Sequence, residues 1–226
     1  MAIQIQGNGG VVAEVDGTTF RALRVTNRPV NYGSLGYYRA GMLSGTIAAA
    51  LAANSEVYQF RWPDATNLAL VYKVCASAGA NVAATAAALT SLRMTAARSW
   101  TAAGSGGTRM TLTGNNAKLR TSMGTSLVND AGISSTGALT AGTKTLDTTD
   151  LGVCSIGIMT GAITTVVSGN ILNKGDGILF DADSEGFHPL ILAQNEGFVV
   201  RSGVIFPAAM TWQLGIDTVW AEAAAF

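Results

Sequence analysis

The sequence predicts an all-β protein: an antiparallel β-sandwich, jelly-roll-like in its connections, with at most one or two short helices. About a dozen short apolar runs are separated by Gly, Asn, Asp, Ser and Thr, a spacing typical of sandwiches and barrels. A chain of 226 residues that is 48% hydrophobic is long enough to bury a core without a disulfide or a metal. Because this composition is too apolar and too weakly charged for a disordered chain, we expect a folded protein.

The predicted strands follow runs rich in β-branched and aromatic residues. Tyr58, Phe60 and Trp62 alternate with polar residues and therefore share one face of a strand. In chain order the runs are Ile3–Gln6, Val11–Val15, Thr19–Val25, Val57–Trp62, Leu68–Cys75, Leu89–Arg98, Arg109–Thr113, Val153–Ile158, Ile163–Val167, Leu190–Ala193, Phe198–Phe206 and Thr211–Trp220.

Two Ala-rich segments are the helical candidates, and three Gly-rich segments are predicted loops. Gly45–Ala53 and Asn81–Leu89 are each long enough for two or three helical turns. The predicted loops are Gly104–Gly107, Gly114–Asn116 and Gly132–Gly142. Strand patterns resume after each loop, so we expect residues 11–226 to form a single sandwich domain.

Residues 1–10 are predicted to form an extended N-terminal arm. Ile3–Gln6 alternates apolar and polar residues, as a half-buried strand does, and Gly7–Gly10 follows as a flexible turn. An isolated four-residue strand leaves its backbone groups unpaired, so we expect the arm to pair with the sheet edge of a neighbouring subunit. The competing interpretation is a first strand of the same domain.

One internal similarity joins two distant parts of the chain. Leu51–Arg61 resembles Leu192–Arg201, with one position deleted, and both have an Asn turn before an aromatic strand that carries an Arg. We expect equivalent corners of two sheets, or a chance similarity.

The search for catalytic residues finds no complete constellation. His188 is the one histidine, and no G-x-S-x-G motif presents a serine nucleophile to it. Cys75 and Cys154 are 79 positions apart and form no metal-binding spacing; we expect free, buried thiols, with a disulfide as the alternative. The predicted site therefore contains no catalytic, cofactor-binding or metal-binding residue, and the chain is predicted not to be an enzyme.

Three polar or aromatic features are candidate binding sites. The loop that carries Asp181, Asp183 and Glu185 supplies alternating oxygens, but an EF-hand would need an acid where Leu192 stands, so a surface cation is the alternative to a solvated loop. Asp147 and Asp150 are candidate glycosidase acids only if they meet in space. Three tyrosines form either an exposed sugar-binding patch or a packed contact: Tyr32, Tyr37 and Tyr38.

Charge is low and unevenly distributed. Charged residues make up 12% of the chain, about half the usual ~25%. Residues 1–120 hold eleven bases and four acids, whereas residues 121–226 hold three bases and ten acids. Since the bases are scattered singly, we expect no nucleic-acid binding. The arginines occupy either the solvated faces of strands or surfaces that meet between subunits.

No membrane or secretion signal is predicted. The uncharged windows 74–92 and 151–173 are interrupted by Gly, Thr, Ser and Asn, so neither has the ~20 apolar residues of a spanning helix. Glu14 and Asp16 interrupt the N-terminal region where a signal peptide would have its apolar stretch. We therefore expect synthesis in a cytoplasm.

Four segments resemble the virion structural proteins of tailed phages, in particular small head-associated proteins: Met1–Gly9, Val12–Gly17, Gly114–Ser122 and Pro189–Phe198. The resemblance implies a virion component on the capsid surface. We expect a decoration protein that cements the shell and acts as a homotrimer, with the major capsid protein as its partner. The alternatives are a tail or fibre component that contacts the host, or a carbohydrate-binding module.

Overall fold

The computed structural model describes residues 15–16, 22–23, 35–82, 84, 88–158, 171–173, 177–183 and 188–224. These residues form fourteen strands and no helix. The strands are β1 (Val15–Asp16), β2 (Ala22–Leu23), β3 (Gly36–Leu43), β4 (Glu56–Trp62), β5 (Asn67–Val82), β6 (Ala88–Ala102), β7 (Gly107–Arg109), β8 (Asp130–Ser134), β9 (Thr143–Ile158), β10 (Ile171–Asn173), β11 (Ile178–Asp181), β12 (Leu190–Leu192), β13 (Glu196–Ser202) and β14 (Thr211–Ala224).

The chain divides into two units, Met1–Asn31 and Tyr32–Phe226. In the first unit β1 and β2 pair antiparallel, with Val15 opposite Leu23. The expected boundary at residue 10, the predicted arm and the predicted strands Ile3–Gln6 and Ile163–Val167 lie outside the described residues.

The second unit contains two antiparallel sheets. The seven-stranded sheet has the order β10-β9-β6-β13-β4-β8-β7. The five-stranded sheet has the order β11-β5-β14-β3, and β12 pairs with the same edge of β5 as β11. Its long central pair, β5 and β14, runs from Asn67 opposite Ala224 to Val82 opposite Thr211.

The two sheets pack face to face through an aromatic core. The ring of Phe60 on β4 meets Trp220 on β14 edge-on at 5.4 Å, and it stacks on Phe198 of β13 at 5.1 Å. The Tyr58 hydroxyl lies 3.0 Å from Thr218 Oγ1 on the opposite sheet, so the polar end of this buried ring has a partner. The predicted all-β antiparallel sandwich is confirmed, and its jelly-roll connections stay a prediction.

The helical prediction for Gly45–Ala53 is wrong. Ile47 exchanges backbone hydrogen bonds with Trp212 (2.7 and 3.2 Å), and Ala50 has a φ of 55°, which no α-helix contains. Because the side chains of Ile47 and Leu51 enter the core, tertiary packing overrides the helical propensity of alanine. In the predicted helix Asn81–Leu89, residues 81–82 end β5, residues 88–89 begin β6, and Ala84 between them is described as neither strand nor helix.

Other boundaries also differ from the sequence prediction. Arg109–Thr113 contributes only Arg109 to a strand, and β8 begins before Gly132 and overlaps the loop predicted from that residue. Five elements were not predicted: β3, β8, β10, β11 and the first half of β9. The strands β8, β10 and β11 have three to five residues, too few for a clear period, and β3 contains Gly, which is depleted in strands.

The internal similarity proves to be a repeated turn. Asn54 and Asn195 both adopt the left-handed conformation, with φ values of 61° and 60°. Asn54 N–H donates to Ser202 O (2.8 Å), and Asn195 N–H donates to Trp62 O (2.9 Å), so each turn closes one end of the β4–β13 pair. The two turns thus lie at opposite ends of one strand pair, not at corners of two sheets.

Candidate functional site: two interaction surfaces

The outer face of the seven-stranded sheet carries a hydrogen-bonded ion-pair cluster. Asp150 accepts a hydrogen bond from Thr95 Oγ1 (2.6 Å) and one from Arg201 Nη2 (3.0 Å), and Arg93 Nη1 lies 3.7 Å from its second oxygen. Burial alone would raise the pKa of Asp150, but the hydrogen bonds from Thr95 and Arg201 and the charges of both arginines lower it below its ordinary value. This cluster joins β6, β9 and β13.

A second ion pair on the same sheet is almost fully buried. Lys144 Nζ donates to Glu56 Oε2 at 2.8 Å, and the two side chains are 2% and 7% exposed. Lys144 Nζ also donates to Ala141 O and lies 4.4 Å from the centroid of the Trp100 ring, while Gln59 Nε2 donates to the same Glu56 oxygen at 2.6 Å. The cluster attaches the β8–β9 connection and β9 to β4.

The excess of bases in the first half of the chain and of acids in the second half is compensated mainly by ion pairs within the chain. Among the described residues, seven ion pairs join a base from residues 1–120 to an acid from residues 121–226: Arg39–Asp217, Arg61–Asp130, Lys73–Asp181, Arg93–Asp150, Arg98–Asp147, Arg98–Glu196 and Arg109–Asp130. Five of these ion pairs join neighbouring strands of the seven-stranded sheet. Neither of the two interpretations of the sequence included this pairing.

The candidate catalytic residues Asp147, Asp150 and His188 each have a polar partner of their own. Asp147 pairs with Arg98 (3.5 Å), whereas Asp150 belongs to the Arg93–Arg201 cluster, so each carboxylate has its own cationic partner. His188 is exposed, and its Nδ1 lies 2.9 Å from the carbonyl oxygen of Pro189. Each of these side chains is thus engaged by a neighbouring strand or by the local backbone.

The two cysteines lie on different sheets and form no disulfide. Cys154 on β9 is buried in the core, and Cys75 on β5 is half-buried on the outer face of the five-stranded sheet. The expectation of two free thiols is confirmed, but only one of them is buried. Burial raises the pKa of both thiols, which reduces the fraction of reactive thiolate at neutral pH.

The acidic loop is held by internal bonds. Asp181 pairs with Lys73 at 2.7 Å and accepts the Asp183 N–H at 3.1 Å; Glu185 lies outside the described residues. The Lys73 hydrogen bond is the main reason that the pKa of Asp181 is lowered. Among the described residues, no three His, Cys, Asp or Glu side chains are grouped closely enough to hold a metal ion.

The tyrosines do not form a common patch in the described part of the chain. Tyr38 is buried and stacks on Trp220 at 5.4 Å, and its hydroxyl donates to Gly124 O. Tyr37 points to the opposite face of β3, where its ring lies 5.6 Å from that of Tyr72. Tyr32 lies outside the described residues.

The first interaction surface is an exposed apolar area on the outer face of β6 and β9. Leu89 and Val153 are 72% and 56% exposed, whereas Thr90 and Cys154, the next residue on each strand, are buried against the other sheet. Gly203 N–H donates to Ser91 O (2.7 Å), which places the exposed Val204 and Ile205 beside the same stretch of β6. We call Leu89, Val153, Val204 and Ile205 the apolar rim. Exposed apolar side chains on and beside neighbouring strands of one sheet are candidates for a contact surface.

The second interaction surface is the part of the outer edge of β3 at Gly41 and Leu43, which we call the free edge of β3. Ser44 N–H donates to Leu214 O (2.8 Å), which fixes the even-numbered residues of β3 as those that bond to β14. The odd-numbered residues face the other way: Arg39 N–H donates to Ala117 O, and Leu119 N–H donates to Tyr37 O. Within the described chain, the backbone groups of Gly41 and Leu43 on this edge have no such partner.

Sequence reasoning missed both surfaces. The runs that contain Leu89 and Val153 were predicted as strands, but their short alternation does not reveal which face the second sheet covers. The strand β3 was not predicted, so its free edge was not either. The signal available was the alternation of Tyr38, Ala40 and Met42 with Arg39 and Gly41.

Comparisons with protein-family models, with curated proteins and with solved structures find no match. In the described part of the chain, no helix is long and apolar enough to cross a membrane.

Proposed function

We propose that the protein is a structural component of a phage virion that decorates and cements the capsid shell, with the major capsid protein as its partner. The observation that carries the proposal is the apolar rim beside a sheet whose polar residues are engaged internally. Seven of the described carboxylates are within ion-pair distance of a Lys or Arg of the same chain: Glu56, Asp130, Asp147, Asp150, Asp181, Glu196 and Asp217. A surface whose charged groups are already paired within the chain is suited to a permanent contact with another protein.

The residues of the apolar rim are of the types that form the centre of a protein interface. Its exposed members are Leu, Val and Ile, and Arg93 with the Asp150 cluster borders it on the same face. Interfaces combine an apolar centre with a polar margin, and Arg is enriched in them. We propose that the outer face of β6 and β9 meets the shell, and that the opposite, five-stranded sheet faces away from it.

Self-association as a homotrimer belongs to the same proposal. A chain with 12% charged residues has little polar surface with which to remain a monomer, and a trimer matches the three-fold positions of an icosahedral shell. The sequence resemblance to head-associated proteins supports the capsid over the tail.

Co-sedimentation with particles that lack the protein tests the proposal. The full chain is added to such particles, and the bound fraction is measured for the wild type, for Val153→Asp and for Val82→Asp. Val82 is the matched control because it is an exposed strand valine (50%) on the other sheet. A charge buried at an interface without a partner is costly, so we expect V153D to weaken binding by at least tenfold and V82D to leave it unchanged.

Two results would contradict the proposal. Wild-type chain that fails to bind particles removes the capsid role, and binding to isolated tails in its place favours the fibre alternative. Equal binding by V153D and V82D would show that the rim is not the contact surface. Leu89→Asp provides a second rim variant and should behave as V153D does.

A further inference from the structure

The free edge of β3 lies in an open groove between the two sheets. One wall is β3 itself, from Arg39 to Leu43, and the other is the segment from Thr108 to Leu112, which leaves the edge strand β7. Leu43 is 67% exposed and Gly41 is also exposed, and among the described residues neither has a backbone partner on this side. An accessible strand edge of this kind is a template for one further strand.

The groove has an apolar interior and a polar margin. Met42 and Met110 are half-buried against the main core, and Leu112 is buried. Arg39, Thr108 and Thr111 lie at the exposed margin of the groove. A strand that fits this groove needs apolar residues on alternate positions and polar residues between them.

We propose that the free edge of β3 is the receiving site for the Ile3–Gln6 segment of a second copy. The segment has the required alternation and carries no charge. At 3.3–3.4 Å per residue its four residues span about 13 Å, enough to pair with both Gly41 and Leu43. In this arrangement Ile3 and Ile5 share the face of Ala40 and Met42, and Gln4 and Gln6 face solvent.

The contact is heterologous, because the arm of one copy meets the edge of the next. Heterologous contacts close into rings when the rotation between copies permits it, and three such contacts produce a trimer. This inference rests on the self-association included in the proposed function and does not depend on shell binding through the apolar rim.

The mass of the full-length protein in solution, measured by light scattering during size-exclusion chromatography, tests the pairing at both ends. Leu43→Pro removes the outward N–H at an edge position, where proline is tolerated, and Leu43→Thr is the control that keeps it. Ile3→Asp/Ile5→Asp alters the inward face of the arm, and Gln4→Asp/Gln6→Asp adds the same charge on the outward face. Circular dichroism and thermal unfolding verify that each variant is folded.

We expect the wild type and both controls to have about three times the 23.2 kDa chain mass, and L43P and I3D/I5D to be monomers. A mixture of these two variants should form a 1:1 complex, because the intact arm of L43P can occupy the intact edge of I3D/I5D. A monomeric wild type, a self-associated L43P or I3D/I5D variant, or a mixture that stays monomeric would overturn the inference. Particle binding by wild-type chain in the same preparation would then show that the capsid role itself stands.

Discussion

Replacement of Lys144 by methionine tests whether the Lys144–Glu56 pair stabilises the fold. Methionine keeps an unbranched apolar side chain at this position but removes the ammonium group that lies over the Trp100 ring, which leaves Glu56 buried with only the Gln59 amide as a described side-chain partner. Removal of one member of a buried ion pair costs about 3–5 kcal/mol, because the remaining charge is not solvated. For a chain of this size, that loss lowers the melting temperature by about 6–20 °C.

The matched control is Lys73→Met. Lys73 makes an ion pair with Asp181 of nearly the same length, 2.7 Å against 2.8 Å, but its side chain is 43% exposed whereas that of Lys144 is 2% exposed. Solvent screens exposed pairs, so we expect K73M to cost about 1 kcal/mol or less. The comparison therefore isolates burial from pairing geometry.

Urea unfolding followed by intrinsic tryptophan fluorescence measures both changes. The double variant Glu56→Gln/Lys144→Met should recover part of the K144M loss, because it removes the uncompensated carboxylate. If K144M and K73M reduce the free energy of unfolding equally, the reasoning that burial determines the contribution of this pair is refuted.

Three further predictions concern titration and thiol chemistry. The folded pKa of Asp150 is lowered, so its contribution is present at neutral pH and lost as the pH falls through that pKa; D150N should therefore destabilise the protein more at pH 7 than at pH 3, as measured by urea unfolding. Burial raises the pKa of Glu222 despite hydrogen bonds from Ser126 and Leu127, so the stability of wild type relative to E222Q should be greatest below pH 4.5 and decline as the pH rises; an opposite trend would contradict this assignment. Cys75 and Cys154 should react with a disulfide reagent at pH 7 more slowly than a free thiol does, and both should react at once in denaturant.

The sequence predicted the sandwich because its central strands have clear periodic patterns. The alternation of Tyr58, Phe60 and Trp62 corresponds to three inward positions of β4, and Thr211–Trp220 lies within β14. Local patterns failed where long-range pairing determines the structure. The segment around Ala48 and Leu51 is rich in alanine, which favours a helix. Ile47, however, exchanges backbone hydrogen bonds with Trp212, 165 positions away, and this contact fixes an extended backbone.

The candidate surfaces were less predictable than the fold. Whether Leu89 or its neighbour Thr90 faces solvent depends on which side of β6 the second sheet covers, and that is decided by strands far along the chain. The ion pairs have the same origin, since Arg93 and Asp150 meet only through the register of β6 and β9. The composition of the two halves indicated the charge imbalance, but it did not indicate which bases and acids form ion pairs within the chain.

Electron cryomicroscopy of purified particles, with and without the protein, tests the central claim of a capsid-bound structural role most directly. The account predicts additional density on the outer surface of the shell, at positions of three-fold symmetry, into which the sandwich fits with the face of β6 and β9 towards the shell. Density confined to the tail, or particles that are identical with and without the protein, would contradict it.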